Sequence, residues 1–199
     1  MKVIKQLANI DVESILKETK AIMSGHFKLT SGYHSEYYVQ CARLLQYPQK
    51  TSLLIDSFLG LHRDKIDFEE IDTIISPAVG GILFGYLLAY KLQKKMIFAE
   101  RKDGNMVIRR GFDIKSGERL LIAEDVVTTG GSVFEVIDIC NNKDAKVNSV
   151  ISIIDRSSKI EFPYPYYSFI KLDIDKYEPD NCPLCKQGID IDYPGSRKD

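Results

Sequence analysis

Arg119-Leu120-Leu121-Ile122-Ala123-Glu124-Asp125-Val126-Val127-Thr128-Thr129-Gly130-Gly131-Ser132 reads as a buried strand, an acidic end and a glycine turn that opens a helix. Apolar residues in an unbroken run fit a strand covered on both faces, and the strand is placed at Arg119–Ala123. Two adjacent carboxylates, Glu124 and Asp125, stand at its carboxyl end. Gly130-Gly131 then lead into a helix from about Ser132 to Asn141. Backbone N–H groups at such a turn, with the positive end of a helix dipole, form an anion site. Glycine lets the backbone approach a phosphate closely, and the hydroxyls of Thr128, Thr129 and Ser132 add donors. The acids repel a phosphate, so they suit ribose hydroxyls or a magnesium ion carried by the ligand. A terminal phosphate beside a vicinal diol, as in ribose 5-phosphate, satisfies both halves of the layout. A tight turn with solvent-facing acids is the plainer alternative, and the combination of acids, hydroxyls and glycines in one strand-to-helix turn favours phosphate. The Gly-Lys-Ser/Thr ending of a P-loop and the dinucleotide fingerprint are both absent.

The same grammar extends in both directions. Ile71–Ser76 is a strand that stops at Pro77, and Gly80-Gly81 precede an apolar helix, Ile82–Gln93. Met96–Glu100 is the next strand, and Asp103-Gly104 signals a hairpin with Met106–Arg110 as the return. Val147–Ile154 and Tyr166–Leu172 are further strands. Upstream, Asp11–Met23 shows helical spacing with Asp11 as cap and Gly25 as stop, and Thr51–Leu61 is a second amphipathic helix. Phe27–Gln40 reads as two extended pieces around a Ser31-Gly32 turn. Strands alternating with helices predict an α/β fold with a central, mostly parallel sheet flanked by helices. Ligands in such sheets bind beyond the carboxyl ends of the strands. The polar, turn-rich stretch from Asp173 onward is an ordered flap or a frayed tail.

Composition sets outer bounds. The chain has 199 residues, enough for one domain with a sizeable core. A formal net charge of −1 gives no support for sequence-independent nucleic-acid binding. No apolar run approaches the roughly 18 residues of a membrane span, and Met1–Gln6 lacks a secretory signal, so a cytoplasmic protein is expected. Cys41 and Cys140 are isolated, and Cys182 and Cys185 make one Cys-x-x-Cys, too few for a disulfide framework.

The Leu120–Ser132 segment resembles the phosphoribosyl diphosphate (PRPP) motif of the type I phosphoribosyltransferases. Gly25-His26-Phe27-Lys28-Leu29-Thr30-Ser31-Gly32-Tyr33-His34-Ser35-Glu36-Tyr37-Tyr38 is similar to the Phe-x-Leu-x-Ser-Gly-x-x-Ser-x-x-Tyr region of the orotate branch. Cys182-Pro183-Leu184-Cys185 through Pro194-Gly195-Ser196-Arg197 resembles one bacterial subgroup of it. The resemblance runs from about residue 8 to the C-terminus. It implies the type I fold over residues 1–199 as one domain, with a small hood from residues 1–45 and 173–199. It implies transfer of phosphoribose from PRPP to orotate in pyrimidine biosynthesis, with magnesium carried by PRPP. Glu124 and Asp125 would hold the ribose hydroxyls, with Asp125 in a catalytic role. Val126, Val127, Thr128, Thr129, Gly130, Gly131 and Ser132 would wrap the 5-phosphate. Thr128 and Arg156 would contact orotate, whose carboxylate a planar guanidinium grips bidentately. Read from the sequence alone, Arg156 is a surface charge after a strand. Pro77-Ala78-Val79-Gly80-Gly81 resembles the family's diphosphate loop, and a helix-packing turn explains the same residues equally well. Tyr37 and Tyr38 border the base pocket or belong to the core.

The chain departs from the family in Glu100–Gly111. Arg101-Lys102 matches the start of the mobile catalytic loop, but the later Lys-x-His-Gly is absent and Arg109-Arg110 stand nearby. Arg101 is carried over as catalytic, reaching the diphosphate across a homodimer with shared sites; a solvated basic hairpin is the alternative. Cys182 and Cys185 offer two ligands where a structural zinc needs four, so packing is preferred over metal there. His26, His34 and His62 show no ligand spacing. The other expectations considered are a phosphoribosyltransferase for a different base and a PRPP-sensing transcription regulator. The Ser31–Tyr38 segment speaks against the first, and the charge balance against the second.

Overall fold

The computed structural model describes residues 2–5, by backbone only, and 10–194. Gly195-Ser196-Arg197 therefore lie outside the described residues. In chain order the elements are β1 (Lys2–Lys5), α1 (Val12–Glu18), β2 (Ile22–Lys28), β3 (His34–Val39), α2 (Ala42–Leu45), α3 (Pro48–His62), β4 (Thr73–Pro77) and α4 (Gly80–Leu92). They continue as β5 (Lys95–Lys102), β6 (Asn105–Ile108), β7 (Arg119–Val127), α5 (Gly131–Asn142), β8 (Lys146–Asp155), β9 (Tyr166–Asp173), a 3-10 turn (Pro179–Asn181) and α6 (Pro183–Lys186).

Seven strands form the main sheet in the order β1-β9-β8-β7-β4-β5-β6. The inner run from β9 to β5 is parallel, as expected, and the edge strands β1 and β6 are antiparallel. Alternation along β7 splits the core. Leu121 and Ala123 face α3 and α4 with Leu54, Phe58, Phe84 and Leu88. Leu120 and Ile122 face α5, whose Val133, Val136, Ile137 and Cys140 recur at helical spacing. The chain leaves β4 toward β5 and leaves β7 toward β8, in opposite directions from neighbouring strands. That reversal opens a crevice at the carboxyl ends of β4 and β7, the place where such sheets bind ligands.

The sequence reading errs at the N-terminus. The first helix ends at Glu18, and Ile22-Met23 begin β2 rather than finish the helix. Lys20 takes a left-handed φ of 54°, while Lys20 N–H donates to the Lys17 carbonyl and Ala21 N–H to that of Leu16. This closes the helix with a reversal that a Lys hides from sequence inspection. Gly25 lies inside β2 beside an irregularity in its pairing with β3, not at a helix end. The acids also sit inside β7, which runs on to Val127.

The β2–β3 hairpin forms its own two-stranded sheet, with Gly32 turning at φ 84°. The C-terminal segment docks on it. His34 and Tyr177 exchange backbone hydrogen bonds at 2.8 and 2.9 Å, Asp192 N–H donates to His26 at 2.7 Å, and Lys28 N–H donates to Asp192 at 3.0 Å. The stretch after Asp173 is therefore an ordered flap through Pro194. Residues 2–5 instead join the edge of the main sheet through β9.

Candidate active site

The loop after β7 encloses a cavity of about 180 Å³ lined by Glu124, Val126–Ser132 and Val133. Thr128 and Thr129 are exposed toward it, and α5 begins at Gly131 with its free N–H groups on the same turn. Gly130 caps that helix at φ 73°, and a Cβ there would stand 2.2 Å from Ile160 Cδ1. The left-handed backbone favours glycine at 130, and a side chain there would also have to displace Ile160. Of the PRPP-binding residues expected from the sequence, Glu124 and Val126–Ser132 line this one cavity, and Asp125 does not.

Asp125 turns the other way, toward β4. A Cβ on Gly80 would lie 2.5 Å from its Oδ1, and one on Gly81 would lie 3.2 Å from Glu124 Oε1. The bare backbone of Gly80-Gly81 thus lets the N-terminus of α4 reach the acid pair. Its dipole favours negative charge there. This joins the two loops, after β4 and after β7, into one site. The Ala78–Val79 peptide in the first of them is cis.

Glu124 is buried and its Oε1 accepts from Asp125 N–H at 3.0 Å. Burial first, then the adjacent Asp125 carboxylate, push its carboxyl far above the usual range. Cys41, at the start of α2, is buried near both acids, and burial raises its thiol. Sequence spacing carries no signal for the closeness of Gly80, Cys41 and the acid pair, because it arises from strand order.

Arg156 follows β8, and its backbone N–H donates to the Val127 carbonyl at 2.9 Å, beside the loop. Its Nε is buried without a hydrogen-bond partner among the described residues. Burial lowers its pKa, while the nearby Tyr38 hydroxyl acts in the opposite sense. Arg156 is thus half-buried rather than fully at the surface, joined by its backbone to the loop after β7 and near Tyr38 of the hairpin. Tyr38 also packs on Phe27, with ring centroids 5.8 Å apart. Tyr37 is half-buried against the core. Neighbouring Asp155 serves the backbone, accepting from Ser157 N–H and Oγ at 2.8 and 2.6 Å.

Arg101 is not among the residues lining the cavity after β7. It sits exposed on β5 and grips Glu135 of α5 at 2.6 and 3.1 Å, while also donating to the Gly104 carbonyl at 2.7 Å. Arg109 and Arg110 pair with Glu100 at 3.5 and 2.9 Å. The Asp103-Gly104 turn has φ of 52° and 84°, as a tight hairpin demands. Cys182 and Cys185 are not an isolated pair: the hairpin brings His26 and His34 against them.

Comparison with known proteins agrees with this geometry. A family model described as a phosphoribosyl transferase domain matches residues 42–184. An orotate phosphoribosyltransferase of Thermotoga maritima is 47% identical over 94% of this chain and 98% of its own length. One from Thermoanaerobacter is 48% identical over 94% and 97%. Among solved structures, an orotate phosphoribosyltransferase from Aeropyrum pernix aligns with a TM-score of 0.63 at 22% identity, covering 90% of each chain. An adenine phosphoribosyltransferase from Thermoanaerobacter pseudethanolicus gives 0.63 at 18%, covering 79% of this chain and 99% of that one, so the fold by itself does not select the base. Identity near one half over almost the whole chain does select the branch: the chain belongs to the orotate phosphoribosyltransferase family.

Proposed function

We propose that this protein transfers the phosphoribosyl group of PRPP to orotate, forming orotidine 5-phosphate and diphosphate in pyrimidine biosynthesis. The observation that carries the base assignment is the buried, unpartnered Nε of Arg156 between the phosphate loop and Tyr38. A half-buried guanidinium whose Nε lacks a partner is matched by a planar anion, and orotate has a carboxylate. Val126–Ser132 hold the 5-phosphate, with Thr128 also at the orotate edge. Glu124 and Asp125 orient the ribose hydroxyls. A ring nitrogen of orotate forms the bond to the anomeric carbon and gives up its proton as the bond to diphosphate breaks, and the departing diphosphate can take that proton. Positive charge develops on the ribose, and the Asp125 carboxylate would stabilise it. Holding both substrates in line supplies much of the remaining rate.

The acid pair also suits a hard cation. Asp125, set against the glycine N-terminus of α4, offers carboxylate oxygens to a magnesium ion carried by PRPP, and Glu124 would join it on losing its proton. Bound magnesium would supply charge neutralisation at the diphosphate. Arg101 is the proposed catalytic cation in trans, released from Glu135 to reach a partner's diphosphate. Exposed Val79, Leu83, Tyr86 and Tyr90 form an apolar stripe on the outer side of α4 that fits a homodimer. Among the described residues no helix is long and apolar enough to cross a membrane. The charge balance favours small-molecule substrates over nucleic acid, and a cytoplasmic setting suits this reaction. The test mixes purified protein with orotate, PRPP and magnesium and follows orotate absorbance. Loss of absorbance supports the assignment; no loss, with turnover of a purine or uracil instead, overturns it.

A further inference from the structure

We propose that His26, His34, Cys182 and Cys185 form a structural zinc site that fastens the C-terminal flap to the β2–β3 hairpin. One ligand atom from each of the four lies within 4.8 Å of all the others. Four of the six separations are close to those of a coordination sphere. His26 Nε2 stands 3.0 Å from His34 Nδ1, 3.6 Å from Cys182 Sγ and 3.7 Å from Cys185 Sγ, and Cys185 Sγ is 3.3 Å from His34 Nδ1. A tetrahedral zinc with bonds of about 2.0–2.1 Å to nitrogen and about 2.3 Å to sulfur separates its ligands by roughly 3.3 Å for N···N and 3.5 Å for N···S.

The tautomer fits as well. His26 Nδ1 faces the Ile189 carbonyl at 2.7 Å, so that nitrogen carries the proton and Nε2 presents a bare lone pair. A carbonyl behind the ligating imidazole is the usual outer support of a metal-bound His. The competing explanation is a hydrogen bond from His34 Nδ1–H to His26 Nε2. It accounts for one distance, but it leaves both sulfurs crowded on the same lone pair. A set of two thiols and two imidazoles matches a borderline-soft cation, and zinc is the common one. His26, His34 and Cys182 are buried and Cys185 is exposed, which gives the ion a way in.

The fold places these ligands where a staple has work to do. The hairpin and the flap are separate in sequence, with Cys182 and His26 156 positions apart. They meet mainly through backbone bonds at the isolated bridges Phe27–Asp192 and His34–Tyr177. The hairpin carries Tyr38, the neighbour of Arg156. A metal at its base would hold the base-side wall in register without touching the substrates.

The test uses the full-length protein purified without chelator or polyhistidine tag. Elemental analysis after desalting should find one zinc per chain, and Cys185→Ser should remove it while Cys140→Ser, at a thiol on α5, should not. Stripped wild-type protein titrated with cobalt should show tetrahedral ligand-field bands and a thiolate-to-metal charge-transfer band. Cobalt decides the matter even where the Cys185→Ser variant does not fold. Metal-free protein that gives no thiolate charge-transfer band with cobalt would overturn the proposal, as would a cobalt spectrum unchanged in Cys185→Ser.

Discussion

Glu124→Gln isolates what burial does to the acid pair, because it keeps shape while removing the titrating proton. In the ligand-free fold Glu124 is held protonated past neutrality by burial and by Asp125. In the unfolded chain it ionises near the ordinary Glu value of about 4.3. The folded state therefore binds more protons than the unfolded state between that value and the raised one. Stability must then fall as pH rises through this window, and below it the group costs nothing. At pH 7 the ceiling is about 4 kcal/mol, from about 1.36 kcal/mol per pH unit; with water and side-chain relaxation in an open cavity we take about 2 kcal/mol. For a chain of this size that is a rise of about 4–8 °C in Tm for Glu124→Gln over wild type at pH 7. At pH 5 the difference should shrink below about 1 kcal/mol. Thermal unfolding by circular dichroism at both pH values, without substrate, reads it directly. A difference that is the same at pH 5 and pH 7, or larger at pH 5, would refute the reasoning. The same variant should lose at least about tenfold in kcat/KM for PRPP, since Gln cannot ionise to meet the ligand and the stability gained is lost to function.

Arg156→Ala should raise KM for orotate by roughly ten- to a hundredfold, the worth of charge-assisted hydrogen bonds, with KM for PRPP little changed; initial-rate kinetics with each substrate varied would show it. Gly80→Ala should disrupt PRPP use, because the new methyl would overlap Asp125 Oδ1 at 2.5 Å; PRPP binding by calorimetry should weaken while the circular dichroism spectrum stays unchanged. Tyr86→Glu on the outer side of α4 should shift the protein toward monomer in sedimentation, and activity should fall with it.

Much of the fold is legible in the sequence because its signals are local. Apolar runs mark β4, β7 and β8, and glycines mark the starts of α4 and α5. The loop after β7 is legible for the same reason: its acids, hydroxyls and glycines lie close together in sequence. What the sequence conceals depends on strand order or on long-range docking. Gly80 meets Asp125 only because β4 and β7 are neighbours. Arg156 gains its buried Nε and its nearness to Tyr38 only through tertiary packing. His26 and His34 find Cys182 and Cys185 only when the flap returns, so spacing rules for metal ligands find nothing. The early end of α1 escapes notice because a Lys, not a Gly, takes the left-handed position.

The central claim is that the loop after β7 and Arg156 together select PRPP and orotate. The most direct measurement is kcat/KM for orotate against uracil, which lacks the carboxylate, at fixed PRPP and magnesium. The wild type should prefer orotate by at least about a hundredfold, and the preference should collapse in Arg156→Ala, the scale expected where a buried polar group is left unpaired. Equal use of the two bases by the wild type, or an undiminished preference in Arg156→Ala, would contradict it.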